Sequence, residues 1–195
     1  MQAPKRLSVK LFAENPEVAP VADLVPVFQH WIQLKAVAGL LIDVADYKHV
    51  HHGPGVILIG HEADYAYDLS TGRPGIQYTI KRTQLPSLTD AINLALTRAL
   101  DAARILQTEE GLNGLRIGAD EIEITIADRL GFPNEPDVVA QVIDVIKVIA
   151  VQAYGDAASI AVADGDERDP IRVTLKSEGP TLLETVQDNI PATVS

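Results

Sequence analysis

Leu40-Leu41-Ile42-Asp43-Val44-Ala45-Asp46 and, beyond a histidine-rich stretch, Val56-Ile57-Leu58-Ile59-Gly60 decide how this chain is read. The first follows Gly39 as a strand, and the second is a short unbroken apolar run that reads as a strand buried on both faces. The two are expected to be sheet neighbours. Upstream, Leu24, Val27, Phe28, Trp31 and Ile32 fall at the i, i+3, i+4, i+7, i+8 spacing of an amphipathic helix, with Asp23 as N-cap. Pro26 is tolerable there in the first turn, and Trp31 is a core residue. The opening strand, Leu7-Ser8-Val9-Lys10-Leu11, places Leu7, Val9 and Leu11 on one face. The order is strand, helix, strand, loop, strand.

The same order recurs downstream. Glu121-Ile122-Glu123-Ile124-Thr125-Ile126 is a strand with isoleucines inward and Glu121 and Glu123 on a solvated face. A helix opened by Asn134-Glu135-Pro136-Asp137 and closed near Gly155 follows, and then the strands Ile160-Ala161-Val162-Ala163-Asp164 and Ile171-Arg172-Val173-Thr174-Leu175. Ile42–Asp46 and Ile160–Asp164 hold the same place in this order, as in a degenerate duplication with a pseudo-two-fold axis. The expectation is a single α+β domain of two related β-α-β-β halves, about 6–82 and 116–177, in a mixed, largely antiparallel sheet. A helix over about 88–109, opened by the capping box at Ser87-Leu88-Thr89-Asp90, links them, and a tail covers 178–195. Residues 63–82 add an extra hairpin, alternating through Tyr65, Tyr67 and Leu69 and then Tyr78 and Ile80, which reads as the more exposed part of the sheet. Tandem halves of this kind resemble the ferredoxin-like sandwich and the vicinal-oxygen-chelate fold. The second resemblance implies metal ligands on strands of both halves, and the matching positions of the second half carry no histidine here.

Composition bounds the function. The 195 residues carry a formal charge of −11, and their sixteen Lys and Arg are scattered, which argues against a phosphate-backbone surface. With no cysteine, a disulfide framework, a thiolate nucleophile and a Cys-ligated metal are excluded. The N-terminus runs into an alternating strand and no apolar run reaches the roughly 18–20 residues of a membrane span, so a cytoplasmic protein without membrane partners is expected. No G-x-S-x-G elbow or G-x-G-x-x-G fingerprint is present.

Chemistry concentrates in His49-Val50-His51-His52-Gly53-Pro54-Gly55, with His61 close behind. If residues 47–52 continue the strand and Gly53-Pro54-Gly55 closes the turn, His52 faces Val56, and His49, His51 and His61 share one face. Three imidazoles, with His52, Glu62 or Asp64 as alternates, suit Zn, Ni, Co, Cu or Fe, and Tyr47 or Glu62 is positioned for proton transfer. A shift of one residue in register separates the imidazoles. Arg73, Lys81 and Arg82 could receive an anion or an acidic partner, and the loop 164–169 reads as a solvated acidic turn. Two functions are expected of such a chain. One is an interaction or structural module that forms a homo-oligomer or binds a protein through the edge of the hairpin of residues 63–82; the other is a small metal-dependent enzyme or metal-binding protein. The sequence leaves open whether the chain is an enzyme.

Overall fold

The computed structural model describes residues 1–50, 53–112 and 114–191. Its strands are β1 (Leu7–Ala13), β2 (Leu41–Asp46), β3 (Val56–Gly60), β4 (Ala63–Asp68), β5 (Gly75–Ile80), β6 (Ile117–Ile126), β7 (Ser159–Val162) and β8 (Ile171–Lys176). They form one eight-stranded sheet in the order β2-β3-β4-β5-β1-β6-β8-β7, and every pairing is antiparallel. The helices are α1 (Val21–Leu34), α2 (Leu88–Gln107), α3 (Pro136–Tyr154) and α4 (Leu183–Asn189). The protein is α+β with a wholly antiparallel sheet. Within it β6 lies directly beside β8, whereas β4 and β5 separate β1 from β3, so the two segments are not wired alike.

Period-two alternation assigns the sheet faces. Leu7, Val9 and Leu11 of β1 stand opposite Ile80, Tyr78 and Ile76 of β5, and opposite Ile126, Ile124 and Ile122 of β6. All of these are buried, and this face carries the helices: α1 over β2 and β3, α2 over β1 and β5, and α3 over β7 and β8. α2 is buried on most of its circumference, and Ser87 opens it by accepting the Asp90 N–H at 3.2 Å. Trp31 is fully buried, as expected, and its Nε1–H donates to Glu109 at 2.6 Å.

Four expectations need correction. The hairpin of residues 63–82 is no edge: β4 and β5 lie inside the sheet, and Tyr65, Tyr67 and Tyr78 are buried against the helices. Large aromatic rings at period two mark a core-facing strand as readily as an exposed one. Helix α1 begins at Val21 with Pro20 at its N-cap, so Asp23 sits in the first turn and Pro26 one turn further in. The segment expected as a tail contains α4, anchored by buried Leu183, Val186 and Ile190. Finally, β3 is fully buried on one face only, because Ile57 and Ile59 are only partly buried on the side away from the helices.

Candidate functional site

The histidine stretch does not continue β2. That strand ends at Asp46, which pairs with Val56, and the Tyr47 N–H donates to the Gly55 carbonyl at 2.7 Å. The register thus differs from the expected one by six positions, because a turn begins where the strand was expected to run on. Asp46 starts this turn by accepting the Lys48 N–H at 2.9 Å and pairing with Lys48 Nζ at 3.0 Å. Those contacts, the backbone one foremost, hold its carboxyl below the usual carboxylate range. Val50 N–H then closes on the Tyr47 carbonyl. His49 and Tyr47 lie exposed in this loop, and His51 and His52 lie outside the described residues.

His61 is at the far end of β3, where its N–H donates to the Leu40 carbonyl. At about 3.3 Å per residue, the length of β3 sets His61 on the order of 20 Å from the loop that carries His49. The fold does not bring those two imidazoles together. Beside His61, Glu62 is exposed in the β3–β4 turn, while Asp64 accepts the Gly60 N–H at 3.1 Å and the Lys81 ammonium at 2.6 Å. Among the described residues, no group of three His, Asp or Glu side chains is placed to hold a metal ion. Arg82 donates to the His61 carbonyl at 3.2 Å, so Lys81 and Arg82 both brace this turn.

The more organised chemistry lies on the sheet face without helices, whose alternating polar residues read in the sequence as an ordinary wet face. At its centre Lys10 is 1% exposed, and its Nζ meets Asp68 Oδ2 at 2.5 Å and Thr71 Oγ1 at 3.2 Å. Lys10 lies opposite Gln77, and Asp68 lies opposite Gly75. The ammonium therefore reaches its carboxylate diagonally, across a strand position that lacks a side chain. Ser70 Oγ donates to the same Asp68 oxygen at 2.8 Å. The β4–β5 turn lies over this end of the face: Arg73 stacks 3.8 Å above the Phe12 ring and forks onto Glu121, with bonds of 2.6 and 3.0 Å. That fork, ahead of the lesser contribution of Lys176, holds the Glu121 carboxyl below its ordinary range against the opposing effect of burial.

The charges continue as a cross-strand ladder. Lys10 stands opposite Glu123, and Glu121 stands opposite Lys176, whose Nζ is 3.2 Å away. Glu121 and Glu123 are largely buried within this network rather than solvated as expected, and Arg73 is committed to Glu121. Arg172 is the poorly satisfied member. Its nearest carboxylate oxygen, on Glu123, is 3.8 Å away, and its Nε is buried without a hydrogen-bond partner among the described residues. Towards the β2 edge the face carries two aliphatic residues on β3: Ile57 stands between Ala45 and Ala66, and Ile59 stands between Asp43 and Asp64.

The acidic loop 164–169 is exposed as expected, and it folds on itself through Asp166 and Asp169. A cleft of about 570 Å³ lies between the segment after α1 and the ends of α2 and α4, but Arg104 within it already donates to Gln187 at 3.0 Å and lies 3.6 Å from the Glu184 carboxylate. No helix among the described residues is long and apolar enough to cross a membrane. Comparison with known protein families, with curated proteins and with solved structures finds no match for this chain.

Proposed function

We propose that the chain is a protein-interaction module whose helix-free sheet face is its contact platform. One observation carries this reading: β3 is apolar on both faces, yet the fold covers only one, leaving Ile57, between Ala45 and Ala66, and Ile59, between Asp43 and Asp64, only partly buried. A two-layer α/β protein needs only one apolar face per sheet, and the second is ordinarily polar. Branched aliphatic residues on β3, one strand in from the β2 edge of the uncovered face, gain from a covering layer at about 25 cal/mol per Å² of apolar surface removed from water. The charged part of the face is paired within the chain already, so covering it strands few ions.

Hydroxyl-radical footprinting of Ile57 and Ile59 tests the platform. Both side chains are expected to be protected in concentrated cell extract and to become labelled on dilution, or when Thr125→Arg places a bulky cation on the same face. Equal labelling under all three conditions refutes the platform. A second reading rests on the clustering of His49, His51 and His52 within four positions of the sequence, a set of donors suited to a divalent transition metal. Elemental analysis of protein purified without a histidine tag tests it, and absence of metal both as purified and after metal addition removes it.

A further inference from the structure

Resting on the platform reading, we propose that the occupant of the helix-free face is a second copy of this chain. The copies stack sheet on sheet about a two-fold axis parallel to the strands. Self-association of a chain with a formal charge of −11 requires a surface that is not itself acidic. The helix-free face is far less acidic than the chain. Its strands carry five carboxylates, Asp43, Asp64, Asp68, Glu121 and Glu123, and three cations, Lys10, Arg172 and Lys176, while Arg73 and Lys81 reach in from adjoining turns to pair with Glu121 and Asp64.

The distribution selects the axis. Arg172 lies near the β7 edge with a buried, unbonded Nε, and Asp43 lies on the β2 edge with no cation in ion-pair range among the described residues. The sheet order runs from β2 to β7. A two-fold axis along the strands lays the β2 end of one sheet over the β7 end of the other, and in that arrangement Arg172 approaches Asp43 of the partner subunit twice per dimer. An axis across the strands lays like edge on like and pairs neither. The same stacking sets Ile57 and Ile59 over the β8 region of the second copy and removes them from water.

The size of the face fits. Eight strands about 4.8 Å apart and roughly 18 Å long cover on the order of 700 Å². Each partner in a stable interface typically buries about 800 Å². Stacked sheets lie about 10 Å apart, within roughly 30° of alignment.

Light scattering on the full chain, combined with charge reversal, tests the proposal. The wild type is expected at twice the chain mass of 21.0 kDa. Arg172→Asp and Asp43→Arg each set like charges together twice per dimer, so each alone is expected to weaken association at least tenfold. Mixing the two variants is expected to restore the dimer, because both contacts are then of opposite sign. Both variants lie on half-buried or exposed positions, and circular dichroism checks that they fold. A monomeric wild type at high micromolar concentration overturns the proposal; protection of Ile57 and Ile59 in extract would then still uphold the platform with a different partner. A dimer that Thr125→Arg dissociates but the charge reversals leave intact overturns the two-fold arrangement and retains the face. A dimer insensitive to all three substitutions overturns the proposal, and the labelling of Ile57 and Ile59 then decides the platform on its own.

Discussion

The Lys10–Asp68 pair gives the sharpest test of how the helix-free face is built. Both groups are nearly inaccessible, so Asp68→Ala leaves the ammonium with only Thr71 Oγ1 at 3.2 Å and the Phe12 ring centroid at 5.4 Å. Lys10→Met leaves the Asp68 carboxylate with the Ser70 hydroxyl. Removing one partner of a buried pair strands the other charge and costs about 3–5 kcal/mol. Replacing both with apolar groups, Lys10→Met with Asp68→Leu, removes the attraction and the desolvation together, so the double variant is expected to lie within about 1–2 kcal/mol of wild type. Urea unfolding followed by the fluorescence of Trp31, the only tryptophan, reads the cycle. For a chain of this size about 1 kcal/mol corresponds to roughly 2–4 °C in melting temperature, so each single variant should melt on the order of 10 °C lower. The reasoning fails if each single variant stays within about 1 kcal/mol of wild type, or if the double variant loses as much as the two singles together.

Three further outcomes follow from the same geometry. A Cβ at Gly75 would overlap the Leu11 carbonyl oxygen of the neighbouring strand, so Gly75→Ala should destabilise by more than about 2 kcal/mol in chemical denaturation. Tyr67 carries a buried hydroxyl without a hydrogen-bond partner among the described residues, and burial pushes its pKa up to about 12. Its folded pKa lies above the unfolded one, so its contribution is intact at neutral pH and is lost as pH rises from about 10 towards about 12. Tyr67→Phe should remove that alkaline loss and raise neutral-pH stability by about 1 kcal/mol, as read by urea midpoints across pH. Glu121 has the opposite sign: its folded pKa is depressed by the Arg73 fork, so its contribution is present above the ordinary carboxylate range and is lost on acidification. Arg73→Gln should flatten the acid side of the stability profile and raise the Glu121 pKa measured by NMR; an unmoved pKa would count against the fork.

Elements governed by neighbours in sequence were legible before the structure. The Ser87 cap, the buried Trp31 of α1 and the alternation of Ile122, Ile124 and Ile126 all appear as expected, because capping, amphipathic periodicity and pleating act over a few residues. The site was less legible. The register of β2 on β3 turns on where the chain reverses, and the hydrogen bonds from Lys48 to Asp46 reverse it before the histidines. Nothing in the spacing of His49, His51 and His61 records that reversal. The Lys10–Asp68 contact joins residues 58 apart in sequence, and each reads alone as a solvated charge.

By itself, the sequence determined the α+β class, the capped linking helix, the absence of thiol chemistry and the acidity of the chain, since these depend on composition and short-range periodicity. Only the tertiary structure decided that β4 and β5 insert between β3 and β1, which buries three tyrosines, and that the chain reverses after Asp46, which separates His49 from His61. It also decided that all the strands share one sheet with the helices on a single side. Strand order and the choice of covered face are set by long-range pairing and by the apolar area buried against the helices. A strand such as β3, apolar on both sides, has no local means of specifying which side its own chain will cover.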